Sequence, residues 1–381
     1  MKKSLLEQLK DESNKTYAYQ QYLKTSKLPL LLFSENDVST NLIKNFLLDK
    51  NKLKVDHIVA SKNYQTPDTS LVPQACGTSR WNKQVEQINE VLAKYKEVNL
   101  IFAFFINSLN DTQDLYEELS QNPKIINCFA FEYSCLEFDF PDYHEELKKH
   151  SSEIEEFYSQ LEDDLSRRTL VEFINTKISG SQGKFFRLTR GEQYFPSFLH
   201  LSDQEVFVDC GAYDGDTIIS FLKHTDGKYK KIYAFEPDEN NIKKLRENVS
   251  CYNNVAIIEK GCFSREDILH FKSGDGLSSS IDIDGDVTIE VESIDNIIKD
   301  DCTYIKMDIE GSELEALKGA EKTIIANAPK IAVAMYHRSN TFYTIPKYIK
   351  SLNPKYRFWI RHYSPLYAYE TVLYAICDEK G

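Results

Sequence analysis

The chain has 381 residues and a formal net charge of −13, with 59 acidic against 46 basic side chains. Its length suits two domains, each large enough to form a core without disulfides or metal ions. The negative charge disfavours nucleic acids and anionic membrane surfaces as partners, because both require clustered Lys and Arg.

The sequence contains no segment that predicts export or membrane insertion. Positive charge at Lys2 and Lys3 is not followed by the apolar stretch of a signal peptide, and the longest apolar runs, 28–33 and 100–106, are far shorter than a membrane span. The eight cysteines form no C-x-x-C pair and no zinc-binding spacing. We therefore expect a cytoplasmic protein with reduced thiols.

Short apolar runs alternate with helical patterns in the first 140 residues. Strands are predicted at 28–33, 55–60, 99–105 and 124–131, and helices at 37–48, 84–95 and 111–119. This alternation indicates a small parallel, Rossmann-like α/β domain. A phosphate-binding turn would place glycine after the first strand, but residues 34–36 are Ser-Glu-Asn. Residues 1–140 are therefore expected to serve recognition or assembly.

A polar, helical segment follows at residues 141–183. Ile154, Phe157, Leu161 and Leu165 have the i, i+3/i+4 spacing of an amphipathic helix, and the pattern predicts a pair of helices. A Gly- and Ser-rich stretch ends this connector. The second domain is expected to span 184–381.

The second domain has seven strand-like runs, at 205–209, 230–235, 254–258, 302–307, 330–335, 356–361 and 369–376. A short loop containing Pro365 separates the last two, which predicts an antiparallel hairpin at the end of a mostly parallel sheet. Alternating stretches within 262–292 predict a small β insertion that covers a cavity or a neighbouring helix.

The first strand of this domain runs into a D-x-G-x-x-x-G turn and a helix. Gly211 is predicted to permit the tight turn, and Gly215 to let the chain pass close to a ligand. Tyr213 stands where a dinucleotide fingerprint would have its second glycine, which disfavours a pyrophosphate. The carboxylate of Asp209 suits a cationic amino group. The motif thus favours S-adenosylmethionine, which has an amino group and a sulfonium but no phosphate.

An acid, Glu236, ends the next strand, 25 residues after Gly211, where it can accept both hydroxyls of a ribose. Backbone N–H groups near Asp216 are expected to bind the ligand's carboxylate, and Gly261 and Cys262 to flank its adenine. The predicted cofactor-binding residues are Asp209, Gly211, Ala212, Tyr213, Gly215, Asp216, Glu236, Pro237, Gly261, Cys262 and Asp308.

Three acids, Asp308, Glu310 and Glu313, cluster after the fourth strand of the domain. The carboxyl ends of parallel strands are where open α/β sheets bind ligands, so a carboxylate here could orient or deprotonate a hydroxyl. Glu313 could equally be a solvated acid at a helix N-terminus. His337, after the fifth strand, is either a general base with a pKa near neutrality or a structural histidine. The predicted catalytic residues are Asp308, Glu310 and His337.

Two further interpretations concern charged ligands. Arg338, Arg357, Arg361 and His362 could hold an anionic group of the acceptor, or could be solvated strand ends. The three acids could hold Mg²⁺, but they lack the regular ligand spacing of a dedicated site, so no metal is predicted.

These motifs resemble the FkbM family of S-adenosylmethionine-dependent O-methyltransferases. The resemblance covers about 193–378 and rests on the segments 209–217 (DCGAYDGDT), 235–238 (FEPD), 305–320 (IKMDIEGSELEALKGA) and 369–374 (YETVLY). Asp209, Gly211, Gly215 and Glu236 match the family's cofactor positions, and Asp308 and Glu310 match its acidic signature.

The resemblance implies a class I methyltransferase fold, a seven-stranded Rossmann-like sheet with an antiparallel C-terminal hairpin. It also implies methylation of a hydroxyl on a sugar, a surface glycan precursor or a secondary metabolite. The first domain looks like a Rossmann-like module of glycan-associated relatives. Two alternatives stay open from the residues alone, namely a non-catalytic Rossmann-type scaffold and a nucleotide-sugar or NAD oxidoreductase.

Overall fold

A computed structural model describes residues 4–5, 23, 25–33, 53–61, 85–104, 109–132, 143–179, 188–189, 191–271, 287–364 and 370–377. The chain divides into two compact units. The first comprises residues 1–140, 172–187 and 365–368, and the second comprises 141–171, 188–364 and 369–381. The predicted connector, 141–183, is not a separate body in this division, since most of it belongs to the second unit and its last part to the first.

The first unit contains a five-stranded parallel sheet. Its elements are β1 (Leu30–Phe33), β2 (His57–Ala60), β3 (Glu86–Gln87), α1 (Ile88–Lys94), β4 (Val98–Phe104), α2 (Leu109–Ser120) and β5 (Ile125–Glu132). The strand order is β3-β2-β1-β4-β5, and each neighbouring pair is parallel. All four residues of β1 are buried, as a central parallel strand requires. The predicted α/β class is confirmed, whereas the helix predicted at 37–48 lies outside the described residues.

Three helices, rather than the predicted pair, occupy the connector. They are α3 (Tyr143–Lys149), α4 (Ser151–Gln160) and α5 (Asp164–Ser179). α5 begins directly after Asp163, which caps the N-terminus of the helix. The Oδ1 of Asp163 accepts hydrogen bonds from the backbone N and the Oγ of Ser166, both at 2.7 Å. Glu162 N donates to Phe358 O at 3.0 Å, which ties the chain before α5 to a strand of the same unit.

The second unit contains a seven-stranded sheet and a three-stranded sheet. The strands of the two sheets are, in chain order, β6 (Val206–Cys210), β7 (Lys231–Phe235), β8 (Val255–Ile258), β9 (Gly261–Cys262), β10 (Asp267–Phe271), β11 (Val287–Glu292), β12 (Tyr304–Met307), β13 (Lys330–Ala334), β14 (Tyr356–His362) and β15 (Thr371–Cys377). Its further helices are α6 (Asp216–His224), α7 (Glu239–Val249), α8 (Ile294–Ile297), α9 (Glu313–Lys318), α10 (Glu321–Asn327) and α11 (Thr341–Leu352).

The order in the large sheet is β14-β15-β13-β12-β6-β7-β8, and β15 is antiparallel to both of its neighbours. The predicted C-terminal hairpin is therefore present. The strand order reverses between β6 and β12, so the crevice outside their carboxyl ends is where an open α/β sheet binds its ligand.

Aromatic side chains fill the core beside this reversal. Phe207 of β6 stacks between Phe221 of α6 and Tyr304 of β12, with ring centres 4.6 and 4.9 Å apart. All three residues are fully buried, and each such side chain contributes roughly 1.5–3 kcal/mol. The contacts fix β6 and β12 side by side, and thereby the two sequence motifs that follow them.

The insertion predicted within 262–292 forms a three-stranded sheet in the order β10-β11-β9. Leu269, Ile289 and Val291 project from it into a small apolar cluster with Phe263. In the described part of the chain, no helix has the length and apolarity needed to cross a membrane. The six cysteines that the structure describes are free thiols.

Candidate active site

A cavity of about 410 Å³ opens at the carboxyl ends of β6, β7, β12 and β13. The predicted site residues that line it are Gly211, Tyr213, Asp216, Glu236, Pro237, Gly261, Cys262, Asp308 and Glu310. Asp209, Ala212, Gly215 and His337 were also predicted but do not line it. Residues that were not predicted to contact a ligand and do line it include Gln193, Tyr194, Leu269, Ile289, Val291, Lys306, Tyr336 and Glu370.

Glu236 has the surroundings of a ribose-binding acid. Its Oε2 accepts a hydrogen bond from Tyr213 N at 2.8 Å, and its Oε1 accepts from Asp238 N at 3.0 Å and Asn241 Nδ2 at 3.3 Å. Burial raises the pKa of this carboxyl. These donors fix the side chain at the end of β7, and Oε2 keeps acceptor capacity on the cavity side. Asp238 itself caps α7.

The two motif glycines serve backbone packing. Gly211 has a φ of +82°, and a β-carbon there would lie 2.1 Å from Asp308 O. Only glycine therefore allows the turns after β6 and β12 to meet. Gly215 has a φ of +91°, and a β-carbon would lie 2.9 Å from Leu245 Cδ1 of α7. Gly215 does not line the cavity, so the structure lends no support to its expected contact with the ligand. Ala212 is likewise buried, with its N–H on Phe235 O.

A second correction concerns Asp209, which is fully buried under the cavity rather than facing it. Lys306 lies directly opposite Asp209 in the β6–β12 register, with its Nζ 3.0 Å from Asp209 Oδ1. The ammonium also donates to Gly211 O at 2.8 Å and lies 5.2 Å from the centre of the Tyr194 ring. We call Asp209 and Lys306 the buried pair.

The charges of the buried pair depend on each other. Burial raises the pKa of Asp209 to about 6, and the neighbouring ammonium of Lys306 opposes this shift. Burial alone would lower the pKa of Lys306, but the carboxylates of Asp209 and Asp308 raise it. At neutral pH the pair therefore consists of a carboxylate and an ammonium. A lysine inside an otherwise apolar strand was the sequence signal for this pair.

Asp308 lies at the cavity wall and is held by two tyrosines. Tyr194 OH donates to Asp308 Oδ2 at 2.6 Å, and Tyr336 OH lies 3.2 Å from both carboxylate oxygens. Burial raises the pKa of both phenols well above 10, so they remain donors. Asp308 is therefore a carboxylate of fixed orientation with several acceptor positions already occupied.

His337 is surrounded by three carboxylates, which with it form what we call the acidic cluster. Its Nδ1 lies 2.8 Å from Glu313 Oε1, and its Nε2 lies 3.5 Å from Asp308 Oδ1 and 3.4 Å from Glu310 Oε2. Burial opposes the charge on the ring, but the three carboxylates outweigh burial and raise the pKa of His337 to about 9. A pKa of about 9 favours the protonated ring at neutral pH, which disfavours the predicted role of His337 as general base.

Glu313 is the buried anchor of the cluster rather than a solvated acid. Its Oε1 accepts hydrogen bonds from Ile309 N at 3.2 Å and Gly311 N at 3.1 Å. Glu310 differs, because its side chain is 45% exposed. Partial burial of the side chain and the charges of Asp308 and Glu313 raise the pKa of Glu310, whereas the charge of His337 opposes this shift. Among the acids of the cluster, Glu310 combines access to solvent with raised basicity.

The arginines proposed for an anionic acceptor are mostly engaged elsewhere. Arg361 makes a bidentate pair with Asp163, at 3.3 and 2.6 Å, and Arg357 pairs with Glu162 at 2.6 Å. Burial lowers the pKa of His362 to about 3, so that ring is neutral. The two arginines therefore attach β14 to Glu162 and Asp163 of the connector.

Arg338 does line the cavity, and its Nε donates to Gly311 O at 2.6 Å. Glu370 also lines the cavity and accepts a hydrogen bond from Gln193 Nε2. Burial and the charge of Asp308 raise the pKa of Glu370. This end of the cavity is therefore rich in carboxylates.

The acidic cluster also brings three potential metal ligands together. Ligand atoms of Asp308, Glu313 and His337 lie within 4.8 Å of one another. A metal ion would need His337 in its neutral form, because a protonated imidazole has no lone pair to offer. Without a metal ion the neighbouring carboxylates raise the pKa of His337 to about 9, so a cation and the proton on the ring would compete for this place.

Comparison with known proteins gives a consistent result. Residues 209–361 match the family model of the methyltransferase FkbM domain. A similar solved structure is a methyltransferase FkbM from Methylobacillus flagellatus KT, with 22% identity, a TM-score of 0.68, and coverage of 96% of this chain and 99% of that chain. No curated protein matches the chain.

More distant similarity is seen to two other solved structures. An rRNA methylase from Streptococcus thermophilus is 15% identical over 47% of this chain and 90% of that chain, with a TM-score of 0.31. A precorrin-6y C5,15-methyltransferase from Geobacter metallireducens GS-15 is 16% identical over 48% and 85%, also with a TM-score of 0.31. The family model agrees with the predicted family over residues 209–361, and the long structural match confirms the predicted fold class.

Proposed function

We propose that the protein transfers a methyl group from S-adenosylmethionine to a hydroxyl, because residues 209–361 match the family model of the methyltransferase FkbM domain. The acceptor would be a sugar, a surface glycan precursor or a secondary metabolite. The observation that carries this proposal is one cavity that joins Glu236 at the end of β7 to the acidic cluster after β12. The first suits a ribose, and the second suits a hydroxyl that must lose a proton.

The donor end of the cavity fits an adenosine. Glu236 offers acceptor positions for hydroxyls, and Leu269, Ile289 and Val291 of the β insertion supply an apolar wall with Cys262. Flat apolar rings bind in such surroundings, with few polar contacts for orientation. When bound, S-adenosylmethionine supplies a methyl group already activated on a sulfonium.

The acceptor end provides both orientation and a base. Asp308, held by its two tyrosines, would accept a hydrogen bond from the hydroxyl and align its oxygen. Glu310 would take the hydroxyl proton as the C–O bond forms, and its exposed side chain would release the proton to solvent. Alignment can supply up to ~7–11 kcal/mol of the barrier, whereas a positioned base typically gives ~10²–10⁴-fold.

The charges at this end favour a neutral acceptor. The carboxylates that line the cavity are those of Asp216, Glu236, Asp308, Glu310 and Glu370, and the cations are Lys306 and Arg338. Lys306 already has Asp209 as its counter-ion. An anionic group beside Glu310 and Glu370 would meet like charges. We therefore propose a neutral acceptor rather than the anionic one that the arginines left open.

The place of action and the role of the first unit are part of the same proposal. Free thiols at the described cysteines suit the reducing cytoplasm. We propose a recognition or assembly role for the first unit, because no glycine follows its first strand to form a phosphate-binding turn.

Isothermal titration with S-adenosylhomocysteine and with NAD tests the donor assignment. We expect binding of the first and no binding of the second, and Glu236→Gln should weaken S-adenosylhomocysteine binding about 10-fold through a lost charged hydrogen bond. Transfer of labelled methyl groups to a panel of neutral, anionic and amino sugars then tests the acceptor class. NAD binding without S-adenosylhomocysteine binding would favour an oxidoreductase, and binding of neither would favour a scaffold.

A further inference from the structure

We propose that Lys306, with Asp209 as its counter-ion, binds the carboxylate of the methyl donor's methionine part. This inference rests on the proposed function, because it assigns a contact to the proposed donor. It differs from the sequence-based expectation, in which the backbone at the start of α6 binds the carboxylate and Asp209 the amino group.

Lys306 has the position and the donor that the contact requires. It is buried, it lines the cavity, and its Nζ carries three N–H donors. One donor is directed to Gly211 O at 2.8 Å, and one contacts Asp209 Oδ1 at 3.0 Å. No hydrogen bond links the third to the residues that the structure describes. That donor is available to a ligand oxygen in the cavity.

The start of α6 is a weaker place for an anion than its sequence suggests. Asp216 N donates to Asp214 Oδ1 at 3.3 Å, and Thr217 N donates to Asp216 Oδ1 at 2.6 Å. The first amide donors of the helix are thus engaged by carboxylates of the same turn. A ligand carboxylate there would face two like charges.

The other cation at the cavity belongs to its acceptor end. Arg338 follows β13, and its Nε is bonded to Gly311 O in the turn of the acidic cluster. Lys306, in contrast, touches the carbonyl of Gly211 in the turn that follows β6. Of these two cations, Lys306 is the one beside the turn expected to hold the donor.

The surroundings also keep Lys306 charged. Burial alone would lower its pKa, but Asp209 and Asp308 raise it, so the ammonium persists at neutral pH. A ligand carboxylate would add a further negative charge next to it. Asp209 therefore acts as a positioning residue that holds the ammonium in the buried strand.

The test compares two ligands that differ in the methionine part. S-adenosylhomocysteine has the carboxylate, and 5′-methylthioadenosine lacks both the carboxylate and the amino group. Titration calorimetry would measure both ligands with wild type, Asp209→Asn, and the double variant Asp209→Asn/Lys306→Met, which avoids leaving a buried charge unpaired. We expect the double variant to bind S-adenosylhomocysteine about 10- to 100-fold more weakly than wild type does, as loss of a charged hydrogen bond implies, and Asp209→Asn, which leaves the ammonium without its counter-ion, to fall between the two.

Binding of 5′-methylthioadenosine should stay within about 3-fold across these proteins, because it cannot make the contact. An equal loss for both ligands, or no loss for either, would overturn the assignment of Lys306 while leaving the donor proposal intact. Failure of wild type to bind S-adenosylhomocysteine would overturn the proposed function and this inference together. Lys306→Arg is the matched variant that keeps the charge, and it should retain part of the preference for S-adenosylhomocysteine.

Discussion

The buried pair and the acidic cluster lie near the carboxyl ends of adjacent strands, but they differ in the balance of negative and positive groups. In the buried pair, one carboxylate meets one ammonium, both buried. In the acidic cluster, three carboxylates surround one imidazolium, and one of them, Glu310, is half exposed. Pairing with Asp209 keeps Lys306 charged, so that its ammonium can bind an anion. The excess of carboxylates in the acidic cluster raises the pKa of His337 and of Glu310. Charge balance therefore distinguishes the end of the cavity proposed to bind the donor from the end proposed to bind the acceptor.

The largest effect should come from the exposed acid of the cluster. Glu310→Gln removes the proposed base and should lower kcat by about 10²–10⁴-fold. Asp308→Asn keeps the shape but weakens alignment, and should raise the acceptor KM as well as lower kcat. Steady-state kinetics with the best acceptor from the panel measure both variants. S-adenosylhomocysteine affinity serves as the control, since the Glu310 variant should retain it. Full turnover of Glu310→Gln would assign the base to another group.

The buried pair predicts a large effect on stability. Lys306→Met alone leaves Asp209 buried without its cation, and should lower the free energy of unfolding by about 3–5 kcal/mol. The double variant Asp209→Asn/Lys306→Met should regain most of this loss. Lys318→Met is the exposed control, because its pair with Glu315 is at the surface and should change stability by less than about 1 kcal/mol. Urea denaturation measures the free energy of unfolding of the three variants. Equal decreases for Lys306→Met and Lys318→Met would contradict the description of Asp209 and Lys306 as a buried ion pair.

The two regions should also differ in the pH range over which they affect stability. The pKa of His337 is raised from 6.5 to about 9, so the folded state binds its proton more tightly. This stabilisation is complete below pH 6.5 and is lost as the pH rises through 9, by at most ~3 kcal/mol. The pKa of Asp209 is raised from 3.8 to about 6, so its charging lowers stability between those pH values.

Denaturation from pH 4 to 9.5 separates these contributions. His337→Gln should flatten the decline above pH 6.5, and it should also change the acid range, because Glu310 loses the charge that lowers its pKa. Asp209→Asn should flatten the decline between pH 3.8 and 6 and leave the contribution of His337 above pH 6.5 in place. If the decline above pH 6.5 persists in His337→Gln, a group other than His337 causes it. The carboxylates of the acidic cluster then do not hold the imidazolium in the way that the distances indicate.

The sequence signals for the proposed donor end of the cavity are local. Glu236 follows a strand at a fixed distance from Gly211, and a turn after a buried strand restricts which residues can follow. The seven strands of the large sheet were recognisable from short apolar runs. Both depend on residues close together in the chain, where backbone geometry alone decides the outcome.

The remainder depends on pairings between distant segments. Asp209 and Lys306 are opposite each other only because β6 and β12 are neighbours in one register. The pKa of His337 follows from acids on a different strand end, and Tyr194 reaches Asp308 from a segment before β6. Glycine at 215 is required by a φ of +91° at the start of α6, which the local turn sets. No periodicity in the sequence encodes these distances.

The smallest predicted effect tests how Asp308 is held in the acidic cluster. Tyr194 OH donates to one oxygen of Asp308 at 2.6 Å, whereas Tyr336 OH lies 3.2 Å from both. Tyr336→Phe should therefore cost about 0.5–1.5 kcal/mol in transition-state stabilisation, roughly 2- to 10-fold in kcat. Tyr194→Phe is the matched variant and should lose more, because the shorter bond fixes one carboxylate oxygen. If Tyr336→Phe loses more than Tyr194→Phe, the β13 tyrosine, and not the residue before β6, sets the orientation of Asp308.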